Sequence, residues 1–442
     1  MSTLTILIVV AFVIGYLCIA LESVTKINKA AIALLMCVVC WTLLMMGLGN
    51  YYPDVAANGL IGHVSEVIEH HLGDAGGTLF FLMGAMTIVE IVDTNGGFNF
   101  VRDALKTRSK RKLLWRVAFM TFFLSAILDN LTTSIVMIMV LRKLIQNREE
   151  RLIYAALVVV AANSGGAFSP IGDVTTIMLW IKGVITTQGV ISEIFLPSLI
   201  SMIVPAFILQ YSLSGKFDKS QNLPKAEVSH FTQAQRNIIF WLGVGGLIFV
   251  PIFKTLTHLP PFMGILLVLG VLWTVTEVFH HNTAEDDTMA KRVSDILSRI
   301  DLATIMFFLG ILMAVAVLQE VGVLTLLGRG LDATFEGNHY LVTGIIGVLS
   351  SIVDNVPLVA GCMGMYPVEA AGDMAVDGIF WQLLAYCAGV GGSLLIIGSA
   401  AGVVVMGLEK ITFGWYMKKI TWIVFVGYLA GILCYWMEKM IF

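Results

Sequence analysis

Three segments of the sequence place carboxylates beside amides and hydroxyls in apolar surroundings. They centre on Asp129-Asn130, on residues 163–176 and on Asp354-Asn355. A charge at membrane depth is costly unless it is paired or hydrated, so such residues usually mark an ion pathway. Carboxylate, amide and hydroxyl oxygens can replace the water around a hard cation. These residue types therefore predict a site for a small cation rather than an anion.

The second segment also interrupts its own helix. Gly165, Gly166, Pro170 and Gly172 free backbone carbonyl groups from the regular helical hydrogen bonds. Freed carbonyl oxygens are further ligands for an alkali cation. The interrupted helix is therefore predicted to line the site.

The carboxyl groups of Asp129 and Asp173 also suggest how transport is coupled. A carboxyl group at membrane depth is either protonated or matched by a cation, so a proton and a metal ion compete for it. If the site faces each side of the membrane in turn, one species is exchanged for the other. We therefore expect exchange of a proton for Na+ or Li+ by alternating access.

Each acid in these segments has a structural alternative. Asp129, Asp173 and Asp354 could each cap the helix that follows, and capping is compatible with ion binding. Thr175 and Thr176 could bond back to their own helix. Sequence leaves these alternatives open.

Four further polar residues have two interpretations each. Ser393 and Ser399 lie in the second half without a neighbouring carboxylate, and they either complete a ligand shell or permit tight packing. Glu90 and Asp93 either line an access path or are interfacial residues.

The composition places the chain in a lipid bilayer. Of 442 residues, 58% are hydrophobic and 13% are charged, and the mean hydropathy is +0.88. The sequence contains no phosphate-binding loop, dinucleotide fingerprint or zinc motif, so neither a cofactor nor a nucleic-acid partner is predicted. Cys37 and Cys40 lie in an apolar run without nearby histidines and are expected to pack in the membrane. The expected fold class is an all-α polytopic membrane protein.

Apolar runs long enough to cross the ~30 Å hydrocarbon core recur along the chain. The expected spans lie near 4–21, 29–49, 78–94, 152–190, 194–214, 238–254, 262–279, 301–320, 379–409 and 419–437. Segments 113–146 and 340–368 are each interrupted by Asp-Asn and are predicted to be re-entrant hairpins. Spans 152–190 and 379–409 are predicted to be broken helices.

The basic residues test this arrangement. When both hairpins return to their own side, 23 of the 27 lysines and arginines fall in predicted cytoplasmic segments, as the positive-inside rule requires. The first apolar run has no basic segment before it and is expected to be a retained span. Both termini are therefore predicted to lie outside the cytoplasm.

The sequence also repeats itself at an offset near 225 residues. The matching pairs are 80–84 with 307–310, 124–130 with 349–355, and 163–172 with 389–398. We expect one membrane domain made of two inverted repeats, 1–215 and 238–442, each with five transmembrane helices and one hairpin. Sites in transporters built this way lie near the midplane at broken helices.

The run Ser169-Pro170-Ile171-Gly172-Asp173-Val174-Thr175-Thr176-Ile177-Met178-Leu179-Trp180 resembles the signature of the NhaD-type sodium/proton antiporters, a family of the ion transporter superfamily. The run Asp129-Asn130-Leu131-Thr132-Thr133 supports the resemblance. It implies a homodimer in the bacterial inner membrane that exports Na+ and Li+ against inward protons. It also implies a scaffold region and a transport region holding both hairpins and both broken helices, with elevator-like motion. Relative to longer members of the family, we expect a short N-terminus without an extra leading span.

Residue chemistry and resemblance together define the candidate site. The expected ion and proton ligands are Asp129, Asn130, Asn163, Asp173, Thr175, Thr176, Asp354, Asn355 and Ser393. Secondary candidates are Thr132, Thr133, Ser399, Glu90 and Asp93. Na+ or Li+ is expected at Asp129, Asn130, Asp173 and Thr175.

Three other functions compete with cation exchange. A dicarboxylate or other anion carrier of the same superfamily would share the fold, but the hairpin tips contain no Arg or Lys. An intramembrane aspartyl hydrolase would also use paired aspartates, yet its usual Gly-x-Gly-Asp context is absent around Asp173. A passive channel would conduct without proton coupling.

Overall fold

The computed structural model describes residues 2–20, 26–53, 55, 59–98, 101, 104–213, 215–217, 231–283, 296–298, 300–352 and 354–441. Those residues form helices and no strand. Within the same ranges, six helices are long and apolar enough to cross a membrane, namely Leu60–Thr94, Thr187–Ser212, Gln233–Thr257, Pro261–His281, Leu302–Glu320 and Thr421–Ile441. The chain is therefore an all-α, multi-pass membrane protein, as expected.

The helices are numbered here in chain order. The first half contains α1 (Thr3–Ala20), α2 (Lys29–Met45), α3 (Leu48–Tyr51), α4 (Leu60–Thr94), α5 (Lys110–Leu128), α6 (Asn130–Leu144), α7 (Arg148–Ala167), α8 (Val174–Lys182) and α9 (Thr187–Leu209). The second half contains α10 (Gln233–Thr257), α11 (Pro261–Thr283), α12 (Leu302–Glu320), α13 (Val323–Phe335), α14 (His339–Leu349), α15 (Asn355–Met365), α16 (Ile379–Gly391), α17 (Ala400–Glu409), α18 (Phe413–Lys419) and α19 (Thr421–Ile441).

Two helix pairs and two interrupted helices carry the candidate residues. Hairpin 1 consists of α5 and α6, which meet at Asp129, and hairpin 2 consists of α14 and α15, whose second helix is capped by Asp354. Broken helix 1 consists of α7 and α8, and broken helix 2 of α16 and α17. The same order, hairpin then broken helix, thus occurs in both halves. That the second copy enters the membrane from the opposite side stays a prediction.

One helix is longer than its expected span, and another helix was not expected. The span expected at 78–94 is the second part of α4, which already begins at Leu60. The first part of α4 is helical too, but its polar residues lower the local hydropathy, so it was not counted in the expected span. Helix α13 was not expected, since Arg329 and Asp332 interrupt its apolar pattern and leave only one apolar face.

Matching serine hydrogen bonds attach each hairpin to the broken helix that follows it. The Ser125 hydroxyl of hairpin 1 donates to the Ala162 carbonyl oxygen at 2.6 Å. The Ser350 hydroxyl of hairpin 2 donates to the Ala388 carbonyl oxygen at 2.8 Å. The two halves therefore use the same contact at the sequence offset of the repeat.

Glycines let the backbones approach closely at the same interfaces. A Cβ atom on Gly165 would overlap the Phe122 carbonyl oxygen, and one on Gly391 would overlap the Gly347 carbonyl oxygen. Small residues at helix contacts allow this close packing in membranes. Each hairpin is thus packed directly against the backbone of its broken helix.

A buried ion-pair cluster joins the two halves. The Glu409 carboxylate at the end of α17, whose side chain is 1% exposed, accepts from Arg142 Nε at 2.7 Å and from Arg151 Nε at 2.8 Å. Arg142 lies in hairpin 1 and Arg151 in broken helix 1. A buried carboxylate needs such partners, so the cluster fixes three of the four site-forming elements together.

These close contacts give a first prediction. Gly165→Ala and Gly391→Ala should each lower the stability by about 1–3 kcal/mol, because the added methyl group forces the packed backbones apart. Thermal unfolding of the purified protein in detergent measures the effect. Gly270→Ala is the matched control, since Gly270 lies inside a helix with no atom within 4 Å of the added Cβ. Unchanged melting of both tight-contact variants would contradict the close packing.

Candidate functional site

Asp173 lies buried at the break of the first broken helix. It caps α8, with the Thr175 backbone N–H donating to its Oδ1 atom at 3.1 Å. The glycines and proline before it end α7 and leave Asp173 in an extended conformation, where a capping carboxylate is favoured. The side chain is almost fully buried, with the residue 1% exposed. Capping thus uses part of one oxygen and leaves the carboxylate open to other partners.

One asparagine from each hairpin reaches this carboxylate. Asn130 Nδ2 donates to Asp173 Oδ2 at 2.9 Å, and Asn355 Nδ2 donates more weakly to Oδ1 at 3.5 Å. Both asparagines are buried first residues of the helix that follows the hairpin tip. Asp173 therefore connects hairpin 1 with hairpin 2.

The hydrogen bonds continue into the second broken helix. Asn130 Nδ2 also donates to Asn163 Oδ1 at 3.0 Å, and Asn163 Nδ2 donates to Ser399 Oγ at 2.9 Å. The Ser399 hydroxyl caps α17. We call Asn355, Asp173, Asn130, Asn163 and Ser399 the amide network. It joins both hairpins and both broken helices, and every member is buried.

Asp129 lies at the tip of hairpin 1 in an unusual backbone conformation. Its φ of 82° and ψ of 160° fall in a region that is otherwise almost restricted to glycine. The carboxylate accepts the Thr132 N–H at 2.7 Å and the Thr132 hydroxyl at 2.9 Å. Asp129 is partly buried and lines a cavity together with Phe81 and Ile171. A strained acid at a cavity wall is a candidate for function rather than a simple cap.

Three buried hydroxyls that follow these carboxylates closely in the chain lack hydrogen-bond partners among the described residues. They belong to Thr133 on α6 and to Thr175 and Thr176 on α8. An unsatisfied buried polar group costs about 1–3 kcal/mol, so it requires an explanation. Their oxygens fit a role as ligands for a cation. Thr175 is buried as well, and its backbone N–H, but not its hydroxyl, donates to Asp173.

Ser393, Glu90 and Asp93 are among the predicted residues that lie outside the amide network. The Ser393 hydroxyl donates to the Val390 carbonyl oxygen at 2.6 Å, and Ser399 rather than Ser393 contacts Asn163. Glu90 and Asp93 lie in the last turns of α4, where Asp93 is exposed. The structure therefore ranks Ser399 above Ser393 as a member of the site.

Asp354 has a partner that sequence reasoning missed. It caps α15 through the Val356 N–H at 3.2 Å, and its Oδ2 atom accepts from Lys29 Nζ at 3.1 Å. Lys29 is the first residue of α2 and counts in sequence only as one more base of a cytoplasmic segment. A lysine at a helix N-terminus is electrostatically unfavourable, and that is the signal which could have pointed to an acidic partner.

The electrostatics of the site favour a cation. Asp129 and Asp354 each immediately precede an asparagine that donates to Asp173, so a charge on either disfavours a negative charge on Asp173. Asp354 is paired with Lys29, whereas Asp129 and Asp173 form no ion pair with a lysine or arginine among the residues described. The two carboxylates can therefore hold protons or a small cation that is brought in from outside.

Known proteins match this chain over most of its length. Residues 16–384 match a family model described as "Citrate transporter". The chain is 46% identical to Sodium/proton antiporter 1 of Arabidopsis thaliana, over 96% of the chain and 71% of that protein. It is 43% identical to Sodium/proton antiporter 2 of the same organism, over 96% of the chain and 97% of that protein. It is also 30% identical to the Na(+)/H(+) antiporter NhaD of Alkalimonas amylolytica, over 95% of the chain and 88% of that protein.

Proposed function

Since the chain belongs to the NhaD-type sodium/proton antiporters of the ion transporter superfamily, we propose that it exchanges cytoplasmic Na+ for external H+. It is a secondary transporter and not an enzyme, so an intramembrane aspartyl hydrolase is excluded. The ions are its transported substrates rather than cofactors, and the lipid bilayer is its surroundings.

The buried carboxylate of Asp173 is the observation that carries this proposal. Its hydrogen-bond donors are the neutral amides of Asn130 and Asn355 and the backbone N–H of Thr175. Neutral donors orient a carboxylate without cancelling its charge. A proton or a cation must do that, and the two compete for the same oxygens.

Asp129 supplies the second exchangeable charge. When Asp129 and Asp173 have released protons to one side, their oxygens attract Na+, and the unpartnered hydroxyls of Thr133, Thr175 and Thr176 complete its shell. Li+ is also a hard cation and suits the same oxygen ligands. Protons arriving from the other side then displace the metal ion and reset the carboxyl groups.

The amide network supports alternating access by motion of one body. It joins both hairpins to both broken helices, so these elements would move together as the transport region against a scaffold of the remaining long helices. By resemblance to the family, the protein would be a homodimer in the bacterial inner membrane, with both termini outside the cytoplasm. Its physiological role would be control of cytoplasmic sodium and pH.

Everted membrane vesicles with an acidified interior test the exchange. Added Na+ and Li+ should release protons from the vesicles and reduce the pH gradient, whereas K+ at the same concentration should have little effect. Vesicles without the protein are the control. If no alkali cation changes the gradient at any pH tested, antiport is not the function.

A citrate or dicarboxylate carrier is the second candidate, because the matching family model bears the description "Citrate transporter". Such a carrier needs positive or neutral donors for its substrate. Among the described residues the amide network holds a carboxylate and no lysine or arginine. Sodium-dependent uptake of labelled citrate, in the absence of proton exchange, would favour the carrier.

A further inference from the structure

The two hairpin tips share an Asp-Asn pair but satisfy the aspartate differently. Asp129 accepts both the N–H and the hydroxyl of Thr132. The residue 225 positions after Thr132 is Pro357, which has neither an N–H nor a hydroxyl. Asp354 instead accepts the ammonium of Lys29 at 3.1 Å. With the Val356 N–H as its other donor, Asp354 therefore has one charged and one neutral donor, whereas both donors of Asp129 are neutral.

The surroundings of Lys29 favour a positive charge next to Asp354. Its side chain is 24% exposed and that of Asp354 is 16% exposed, so solvent screens the pair only partly. Its ammonium also lies 4.2 Å from the centre of the Phe307 ring, in the range of a cation–π interaction. Because Lys29 opens α2, the helix dipole disfavours its charge there. The carboxylate and the ring, not the helix, favour a cation at this place.

The helix that carries Lys29 has a counterpart in the other half. Gly310 of α12 lies against the backbone of Ala33, which is four residues after Lys29 on α2. In the corresponding contact, Gly84 of α4 lies against the side chain of Ile265 on α11. The glycines belong to the repeated segments 80–84 and 307–310. Helix α11 therefore corresponds to α2 in its contact with the repeated segment of the other half.

This equivalence identifies the residue that stands where the lysine would be. Four positions before Ile265 is Pro261, the first residue of α11 as Lys29 is the first residue of α2. Pro261 therefore stands at the position that corresponds to Lys29, and Thr132 at the position that corresponds to Pro357. In each case one of the two positions is a proline, and the other is a residue that donates to the hairpin aspartate.

We propose that Lys29 is a built-in counter-ion that takes, at Asp354, the place which a transported cation takes at Asp129, so that each chain binds a single alkali cation. The inference rests on the proposed exchange function and fixes how many sites that function uses. Lys29 acts here as a positioning residue, since it touches Asp354 and not the transported ion.

Removing the lysine should open a second site. In Lys29→Met the Asp354 carboxylate loses its charged partner but keeps the Val356 N–H, so its negative charge is no longer balanced. Sodium should then take the vacated place. Lys29→Arg keeps a cation and should not gain a site, and Lys29→Met combined with Asp354→Asn should lose the gained site again.

Binding of radioactive sodium to the purified protein, counted per chain at saturation, tests the proposal. We expect one ion for the unaltered protein, two for Lys29→Met, and one for Lys29→Arg and for the double variant. A value of one for folded Lys29→Met, or of two for the unaltered protein, would overturn the counter-ion role. The count for the unaltered protein requires no variant. The proposal can therefore be contradicted even if Lys29→Met does not fold.

Proton exchange by the unaltered protein in the same preparation separates the two hypotheses. If the unaltered protein neither binds sodium nor exchanges protons, the proposed function fails first. If it exchanges protons and the ion count does not follow Lys29, only the counter-ion role fails.

Discussion

Asp173→Asn should reduce sodium-driven proton movement in everted vesicles to the level of vesicles without the protein. Asparagine is nearly the same size as aspartate and is also a good helix cap, so α8 keeps its N-terminal bond to Thr175. The Asn130 amide can rotate to donate or accept as required. What disappears is the charge and the titrating proton. A loss of at least about 100-fold in apparent sodium affinity, about 2.7 kcal/mol, is expected.

Asp301→Asn is the matched control for this variant. Asp301 caps α12, accepting the Thr304 N–H at 3.1 Å and the Thr304 hydroxyl at 2.6 Å, and it lies outside the amide network. It should exchange protons at the normal rate. If Asp173→Asn is also fully active, the buried carboxylate is a cap only, and the exchange mechanism proposed here is wrong.

Replacing Asp129 by glycine should change stability and activity in opposite directions. Its backbone conformation costs a non-glycine residue about 1–3 kcal/mol, and a glycine cap costs only a few tenths of a kcal/mol relative to aspartate. Asp129→Gly should therefore unfold at the same or a higher temperature than the unaltered protein. Its sodium-driven proton exchange should nevertheless be abolished, because one exchangeable charge is gone. Asp129→Asn should be inactive as well.

Glu336→Gly separates backbone relief from loss of function. Glu336 is an exposed acid with a φ of 52° at the end of α13, outside the amide network. This variant should gain stability and keep full exchange. Thermal unfolding in detergent and the vesicle assay measure the two quantities for both acids. Full exchange by Asp129→Gly would show that the strained aspartate serves only hairpin geometry.

The elements of the site could be predicted from the sequence because each has a distinctive local composition. Charged and amide residues inside apolar runs identified Asp129, Asn130 and Asp173, and the glycines and proline near 165–172 identified the break that positions Asp173. The order of hairpin and broken helix in both halves followed from the repeat. Local composition was sufficient here because a break or a charge in a membrane segment has few explanations.

Contacts between segments that are distant in sequence were harder to predict. Ser399 was ranked below Ser393, although it lies 226 residues after Asp173, and the repeat offset alone could have favoured it. The pairing of Lys29 with Asp354 spans 325 positions and depends on how α2 packs beside hairpin 2, which no local pattern encodes. Helix α13 and the first turns of α4 were not predicted, because their polar residues lower the mean hydropathy of both segments.

The two oxygens of Asp173 receive donors from opposite hairpins. If a proton or metal ion binds this carboxylate as proposed, it changes a hydrogen bond to each hairpin at the same time. Movement of one hairpin alone would then break one asparagine contact while the other is kept, and this would oppose transport of one ion without the other. Variants that cut only one of these bonds, at Asn130 or Asn355, would then leak protons before they stopped transport.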